Sequence, residues 1–339
     1  MASVAVPGLA HDSRMNSRAR VVSAIQRQGA FIALAALVIF GVVRYGPSFY
    51  SAYSIFDAFL NKNTYYALIA LGMTFVIITG GIDLSVGSVA VLAAVAAALL
   101  SVYGLGPALA GGILIGLVAG FINGGLIARF GLQPFVVTLA MLLAARGAAL
   151  TLSGNAPVRV DFPQGFTQLG TVRVGPVPLP VLITAVLYLL GALLLNRTRF
   201  GRHVLAIGGN EEGARLAGIP VGRTLVAVYS MSGALAGLAG VFLAALSFSG
   251  SPTGAIGWEL SAIAAVVVGG TLLTGGVGSV GSTLVGVLLL GLIFFTLNFE
   301  RGQGTFQLNP FWENFIRGAF LLIVVVFQSR LARRLEVPG

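Results

Sequence analysis

The segment that decides how this chain is organised, residues 196–224, reads NRTRFGRHVLAIGGNEEGARLAGIPVGRT. It is the most basic interruption in a sequence that is otherwise almost continuously apolar. Its five cationic residues are Arg197, Arg199, Arg202, Arg215 and Arg223. Arginines in a short loop between apolar spans are typical of the cytoplasmic side of a membrane protein. We therefore predict that residues 196–224 form a cytoplasmic loop.

Within this loop, residues 210–217 carry the start and stop signals of a short helix. The start signals are an amide that can accept from free backbone N–H groups and two carboxylates at the positive end of the helix dipole: Asn210, Glu211 and Glu212. The stop signals are a cation in the last turn, a glycine that can adopt a left-handed conformation and a proline: Arg215, Gly218 and Pro220. About two turns, roughly 10 Å, are too short to cross a membrane or to stand alone. We expect a helix held between two spans and presented to a cytoplasmic partner. Its predicted contact residues are Asn210, Glu211, Glu212, Ala214, Arg215, Leu216, Ala217 and Gly218.

Composition places the chain among polytopic membrane proteins. Of its 339 residues, 57% are hydrophobic and 9% are charged, whereas soluble domains carry about 25% charged residues. The 47 glycines suit close approach of helices in lipid. No cysteine is present, so a disulfide framework and a thiolate metal site are excluded. The net charge of +10 comes from arginines beside apolar spans, which indicates membrane topology and not nucleic-acid binding.

Apolar runs predict an all-α fold with about ten transmembrane helices. The predicted spans are residues 30–43, 64–79, 84–102, 107–128, 133–152, 180–195, 225–246, 258–268, 283–297 and 312–328. Several are shorter than the roughly 20 residues of a straight crossing, so broken or partial helices are expected inside the bundle. The segments 44–63 and 153–178 are predicted to be loops.

Charge distribution predicts that both termini lie in the cytoplasm. Thirteen basic residues fall on the predicted cytoplasmic side, namely four before the first span, Arg129, the five of the central loop and three in the tail, against five on the opposite side. This asymmetry follows the positive-inside rule. The predicted divisions are a cytoplasmic tail (1–28), a transmembrane permease domain (29–329) and a second cytoplasmic tail (330–339). No clear small-residue cleavage site follows the first apolar run, so the tail is interpreted as retained.

The sequence GMTFVIITGGIDLSVGSV, residues 72–89, places a double glycine and a carboxylate inside an apolar span. Two interpretations are open. Asp83 caps the third helix while Gly80 and Gly81 supply a bend, or the break lines a substrate path or forms a gate. Ionisable groups at membrane depth are costly and usually functional.

Other polar groups in apolar runs extend the set of candidate pathway or gate residues. Glu259 is either a charge at the start of a helix or a substrate ligand, and Asn123 and Asn298 either bond between helices or contact a sugar. Arg146 and Arg317 cannot be paired from sequence. The full candidate set is Gly80, Gly81, Asp83, Ser85, Asn123, Glu259 and Asn298.

Nothing in the sequence points to an enzyme. The glycine-rich turn at residues 269–281 suggests a phosphate loop, but that motif needs Gly-Lys-Ser/Thr. The only lysine is Lys62, in Asn-Lys-Asn. We therefore predict that this chain binds no nucleotide, metal or other cofactor.

Several motifs together resemble the ribose-type permeases, the membrane subunits of bacterial ABC importers for monosaccharides. They are residues 72–89, RFGR (199–202), AIGGN (206–210), AGI (217–219), AVVVGGT (265–271) and GGVG (275–278). The resemblance runs from about residue 52 to the C-terminus and is nearest to permeases for ribose, xylose or galactofuranose.

The resemblance implies an inner-membrane transporter with several subunits. Two permeases, identical or paralogous, would form the path. Two ATP-binding domains, often fused, would hold ATP and Mg²⁺, and a periplasmic sugar-binding protein would deliver the substrate. The implied fold is similar to that of the vitamin B12 importer, with two inverted five-helix halves. Residues 210–217 would be its coupling helix, which turns closure of the ATPase into alternating access.

Two other functional classes stay open. A secondary transporter needs intramembrane acids for proton relay, and this chain offers few beyond Asp83 and Glu259. A membrane scaffold or exporter component has no discriminating feature in the sequence.

Overall fold

The computed structural model describes residues 28–161, 165–302 and six further residues, at positions 312, 315, 318, 319, 322 and 326. Residues 1–27, the C-terminal tail, Arg317 and most of the predicted span 312–328 lie outside the described residues.

The described chain is mostly helical. Its α-helices are α1 (28–45), α2 (Lys62–Ile78), α3 (Val86–Leu100), α4 (Leu105–Phe130), α5 (Pro134–Leu152), α6 (Gln168–Thr171), α7 (Leu179–Arg197), α8 (Arg199–Gly209), α9 (Glu211–Leu216), α10 (Val221–Ser247), α11 (Trp258–Val268) and α12 (Val280–Gly302). Four two-residue strands pair antiparallel, β1 (Val158–Arg159) with β4 (Ser249–Gly250) and β2 (Arg173–Val174) with β3 (Val177–Pro178).

Seven helical segments in the described part of the chain are long and apolar enough to cross a membrane. They are Gln28–Ser48, Val86–Tyr103, Leu105–Phe130, Pro134–Leu152, Leu179–Arg197, Val221–Ser247 and Val280–Glu300. Helix α2 is one residue shorter than the shortest of these, and α11 has only 11 residues. Since 11 residues extend about 16 Å against a hydrocarbon core of about 30 Å, α11 is a partial helix.

Three helices form the centre of the bundle. Nearly every residue of α2 from Ala67 to Ile78 is buried, and most of α3 and α10 is buried as well. A helix that is apolar on all sides needs an apolar environment all around it, which neighbouring helices provide for these three. By contrast, α1, α4, α5 and α7 expose large apolar side chains such as Phe121 and Leu189, as helices that face lipid do.

Glycines allow α4 and α10 to pack almost backbone to backbone. A Cβ added at Gly116 or Gly120 would collide with backbone atoms of α10, and one added at Gly233 or Gly237 would collide with backbone atoms of α4. The spacing of four residues on each helix places these glycines on one face, in the small-residue pattern that permits close helix contacts in membranes.

Side-chain hydrogen bonds join further helices within the bundle. Thr74 of α2 bonds to Thr283 of α12 at 2.9 Å, and the Tyr188 hydroxyl of α7 donates to the Ala67 carbonyl of α2 at 2.9 Å. Buried hydroxyls in an apolar interior need such partners. These bonds fix the position of α2 between its neighbours.

The segment 44–63 is not the loop that its tyrosines and Pro47 suggest. It contains a 3₁₀ turn (Gly46–Ser48) and a π-helix (Tyr53–Asn61) that continues directly into α2. Five apolar residues within Tyr53–Asn61 permit helical packing. Asp57 of this π-helix pairs with Arg173, and the hydrogen bond from the guanidinium to this carboxylate raises the pKa of Arg173. The second predicted loop, 153–178, contains β1, α6, β2 and β3.

Candidate functional site

The basic segment 196–224 forms two complete helices, whereas the sequence analysis predicts only α9. The additional helix is α8, which begins after Thr198; the Thr198 hydroxyl accepts from the Gly201 amide at 3.2 Å. Val204 and Ile207 are buried on its inner side. The signal was present, because a capping threonine and apolar residues at helical spacing predict an amphipathic helix.

Helix α9 is closed at both ends as the sequence predicts. The Asn210 side chain accepts from the Gly213 amide at 2.8 Å. At the other end Gly218 has φ +77°, its amide donates to the Arg215 carbonyl at 3.1 Å, and the Ile219 amide donates to the Ala214 carbonyl at 3.0 Å. These two bonds define a Schellman motif, which satisfies carbonyls at a helix end.

The outer surface of α9 is open. Arg215 and Glu211 form an ion pair at 2.7 Å with both side chains exposed, while Ala214 is buried beneath them. Leu216 is 85% exposed, the largest exposed fraction among the exposed large hydrophobic residues of the described chain. A capped helix with one apolar side chain projecting outward has the form of a docking surface for another protein.

Glycines of three separate motifs meet in what we call the glycine junction, formed by Ile78, Gly80, Gly208, Gly275 and Gly276. The Gly276 amide donates to the Ile78 carbonyl at 2.9 Å. A Cβ added at Gly208 would collide with the Ile78 carbonyl, and one added at Gly275 would meet the backbone of Gly80 and Gly208. Gly80, Gly275 and Gly276 all have positive φ, which side-chain-bearing residues rarely adopt. The junction therefore brings backbone atoms at the end of α8 against the break between α2 and α3.

Beyond the break, Asp83 is the centre of a buried polar cluster. One carboxylate oxygen accepts from the Ser85 amide at 3.0 Å and from its hydroxyl at 2.6 Å, and the other accepts from the Ser232 hydroxyl of α10 at 3.1 Å. Asn123 of α4 donates to the Ser85 hydroxyl at 3.0 Å. The N-cap residue of α3 is Ser85, not Asp83, so Asp83 joins helices in addition to holding the start of α3.

The Asp83 cluster lies near mid-depth of the bundle. Ser232 is close to the middle of the 27-residue helix α10, and α3 begins at this level after the Gly80–Gly81 break. Two buried atoms beside the cluster, Asn123 Oδ1 and Tyr229 Oη, have no hydrogen-bond partner among the described residues. Broken helices with unsatisfied polar groups at mid-depth are a common way in which transporters build a site in the membrane.

The other candidate residues have different contacts. Glu259 is in the first turn of α11, and its carboxylate lies against Gly87 of α3. Arg146 donates to the carbonyls of Pro252 and Gly254 at 3.0 and 2.8 Å, which gives it backbone partners. Asn298, near the end of α12, donates to the Phe294 carbonyl at 3.0 Å.

Sequence reasoning missed Ser232 and Tyr229. Both belong to the segment Val228-Tyr-Ser-Met-Ser-Gly233, which places three hydroxyls inside an apolar run. That run was a usable signal, because buried hydroxyls require partners. Its pairing with Asp83 depends on how α10 crosses α3, which no local pattern encodes.

Residues 55–325 match the sequence profile of a family described as the permease component of branched-chain amino acid transport systems. The ribose import permease RbsC of Bacillus subtilis is 39% identical over 311 residues, and that of Escherichia coli is 35% identical over 311 residues. Each alignment covers 90% of this chain and 94% of the relative. The L-arabinose permease AraH of Escherichia coli is 37% identical over 268 residues, covering 77% of this chain and 78% of the relative. No solved structure matches the chain.

The matched region contains the glycine junction, α9 and the Asp83 cluster, and the alignments with full-length relatives extend over nearly the whole chain. The predicted resemblance is confirmed: the chain belongs to the family of multi-pass ABC transporter permease components that includes the ribose and arabinose permeases.

Proposed function

We propose that this chain is the membrane subunit of a bacterial ABC importer that translocates a monosaccharide such as ribose, arabinose, xylose or galactofuranose by alternating access. The observation that carries the proposal is the continuous backbone path from the exposed helix α9, through α8 and the glycine junction, to the break before Asp83. The relatives named for ribose and arabinose support a sugar as the substrate.

The energy for transport is assigned to a partner. Helix α9 offers an exposed apolar side chain, Leu216, beside the Arg215–Glu211 ion pair. We assign this surface to a cleft of a separate ATP-binding subunit, which carries ATP and Mg²⁺ and belongs to a tandem pair that is often fused. The single lysine, Lys62, does not fit a nucleotide loop, so the permease itself is assigned no hydrolysis.

Transmission of the movement is assigned to the glycine junction. Since α8 contacts Ile78 and Gly276 through backbone, a displacement of α9 and α8 reaches the end of α2 without intervening flexible side chains. The Asp83 cluster lies just beyond that end and bonds to α4 and α10. We propose that the break at Gly80–Gly81 with this cluster acts as a gate.

The proposed membrane arrangement follows from charge. With α9 in the cytoplasm, the basic residues distribute thirteen to five in favour of that side. The proposed arrangement has ten spans and both termini in the cytoplasm. We also assign to the transporter a second permease, in a homodimer or heterodimer, and a periplasmic sugar-binding protein on the opposite face. Two inverted five-helix halves, as in the vitamin B12 importer, are consistent with that count.

The test uses the complete transporter in proteoliposomes with its binding protein, and compares Leu216→Glu with Leu216→Met. Because Leu216 is exposed, neither variant disturbs the core. We expect Leu216→Glu to lose binding-protein-stimulated ATPase activity and uptake of ribose and arabinose, and Leu216→Met to keep both. A deletion of residues 211–217 should lose both activities as well.

Three results would contradict the proposal. Normal ATPase stimulation in both Leu216→Glu and the deletion would mean that α9 does not couple the permease to the ATPase subunit. Sugar uptake that persists without the ATPase subunit and collapses with the proton gradient would indicate a secondary transporter. Uptake of a branched-chain amino acid in place of either sugar would replace the substrate class.

A further inference from the structure

A cavity of about 450 Å³ lies between the π-helix, α2, α11 and α12, apart from the Asp83 cluster and the glycine junction. Its volume falls within the range of small-molecule sites, about 300–1,000 Å³. It lies toward the end of α2 that is distant from α9. Asn63, which lines it, is 15 residues before Ile78, or roughly 22 Å along the helix. The cavity is therefore on the far side of the bundle from the proposed ATPase surface.

One wall of the cavity is aromatic and rigid. Tyr65 and Tyr66 line it, and both are held from behind by Trp258. The Tyr65 and Trp258 rings are parallel with centroids 4.4 Å apart, and Tyr66 is tilted against Trp258 at 4.9 Å. A sugar ring presents C–H bonds on its faces, so a fixed aromatic surface gives it an apolar contact area at small conformational cost.

Most of the remaining lining is apolar, from α11 and α12, and its polar part combines amides, hydroxyls and one cation. Asn63 donates to the Phe59 carbonyl at 2.7 Å through one N–H group, and an amide carries a second N–H donor and two acceptor positions. Ser54, Ser261, Asn298 and Lys62 also line the cavity. No carboxylate is among the residues that line it. Neutral hydrogen-bonding groups beside aromatic rings suit an uncharged polyhydroxylated ligand and do not suit a metal cation.

An irregular helix forms another part of the lining. The nine residues Tyr53–Asn61 make a π-helix, a conformation that is rare and occurs frequently at functional sites. It contributes Tyr53, Ser54 and Ala58 to the cavity. This feature is independent of the aromatic wall, and it joins the cavity directly to the first turn of α2.

We propose that this cavity is a transit site for the monosaccharide, occupied between release from the binding protein and passage of the Asp83 gate. The proposal rests on the proposed function and adds the residues that hold the sugar. The sugar ring contacts Tyr65 and Tyr66, and its hydroxyls bond to Asn63 and Asn298. Since α2 carries Asn63 at one end and Ile78 of the glycine junction at the other, movement of α2 couples occupancy of the cavity to α9.

The test compares two cavity variants with a matched control in the complete transporter. Ala58→Phe fills the cavity, and Asn63→Ala removes one amide. Ala185→Phe adds the same ring to a neighbouring, nearly apolar cavity of about 380 Å³ between α2, α7 and α12. The two cavities share Asn63 and Val287, but Ala185 belongs to the lining of the second cavity only. Uptake of ribose and arabinose is measured at saturating loaded binding protein, together with sugar-free ATPase activity. Saturation-transfer NMR with ribose on the solubilised permease gives a direct binding signal.

We expect Ala58→Phe to lose uptake and the ribose NMR signal while sugar-free ATPase activity and assembly stay at the wild-type level. Asn63→Ala should lower the maximal uptake rate about three- to tenfold, the usual range for one hydrogen bond, with the half-saturating concentration of binding protein unchanged. Ala185→Phe should behave like the wild type.

Wild-type uptake in both Ala58→Phe and Asn63→Ala would overturn the transit site and leave the proposed function in place. Loss of co-purified phospholipid from Ala58→Phe with unchanged uptake would assign the cavity to a lipid chain. A wild-type transporter that imports none of ribose, arabinose, xylose and galactofuranose would refute the proposed function itself, and the transit site with it.

Discussion

Gly208→Ala is the sharpest test of the glycine junction, because its neighbour supplies the control. The added methyl group at Gly208 would collide with the Ile78 carbonyl and crowd the Gly276 amide. Both are backbone atoms, which cannot move aside as a flexible side chain can. At Gly209 an added Cβ has no atom within 4 Å, so Gly209→Ala changes the same helix by the same group without a collision.

The magnitude follows from the kind of contact. Insertion of a methyl group into closely packed structure costs about 1–3 kcal/mol. A shift of the Ile78 carbonyl away from the added methyl group also weakens its hydrogen bond with the Gly276 amide, worth about 0.5–1.5 kcal/mol. A cost of about 1–3 kcal/mol in the state that joins α8 to α2 corresponds to a shift of about 5- to 150-fold in a conformational equilibrium. Gly209→Ala should be neutral or slightly stabilising, since alanine is the better helix former.

The assay measures sugar uptake and ATP hydrolysis in parallel on the assembled transporter in proteoliposomes. We expect Gly208→Ala to retain the ATPase subunit but to import at least about fivefold less sugar per ATP hydrolysed. Gly209→Ala should keep the wild-type ratio. If Gly208→Ala couples uptake to ATP hydrolysis as the wild type does, and its thermal unfolding is unchanged, the junction transmits nothing and the reasoning fails.

Three further predictions concern the Asp83 cluster, the α4–α10 contact and the cap of α9. Asp83→Asn keeps the shape of the side chain but weakens charged hydrogen bonds worth about 1.5–3 kcal/mol. We expect uptake to fall at least about tenfold in an assembled complex. Normal uptake would mean that the Asp83 cluster does not act as the gate. Gly120→Ala would place a methyl group against the Tyr229 carbonyl and should lower stability by about 1–3 kcal/mol, measured by thermal unfolding. Gly125→Ala, which faces open space, should leave stability unchanged. Equal unfolding midpoints for the two variants would contradict the packing argument. Asn210→Ala removes the amide cap at a cost of about 1 kcal/mol, so ATPase stimulation should decrease in part, and an unchanged stimulation would mean that α9 needs no capped end.

Local sequence patterns predicted most of the helices because apolar length and end signals act over a few residues. The predicted span 258–268 coincides with α11, and the caps of α9 follow from the side chain of Asn210 and the backbone freedom of Gly218. The same kind of signal was overlooked at Thr198, which starts α8. The π-helix Tyr53–Asn61 was wrongly predicted as loop, because tyrosines and Pro47 suggested an interfacial loop and concealed its apolar residues.

Long-range relations could not be read in the same way. Gly80, Gly208 and Gly276 were each identified as parts of separate motifs. A glycine indicates that another group approaches the backbone closely, but it does not indicate which group. The partners are one another, at sequence separations of more than 60 residues. Likewise, the carboxylate of Asp83 required hydrogen-bond donors, but Ser232 was identified only by the crossing of α3 and α10.

The close contact between α4 and α10 has a consequence for how force spreads. Because few side chains separate the two backbones, we expect that neither helix can rotate or slide independently. The two helices should therefore move as one rigid unit. The chain passes from α9 to α10 through only four residues, 217–220. If α9 transmits movement as proposed, a displacement of α9 reaches the start of α10. Ser232, near the middle of α10, would then move together with Asn123 of α4.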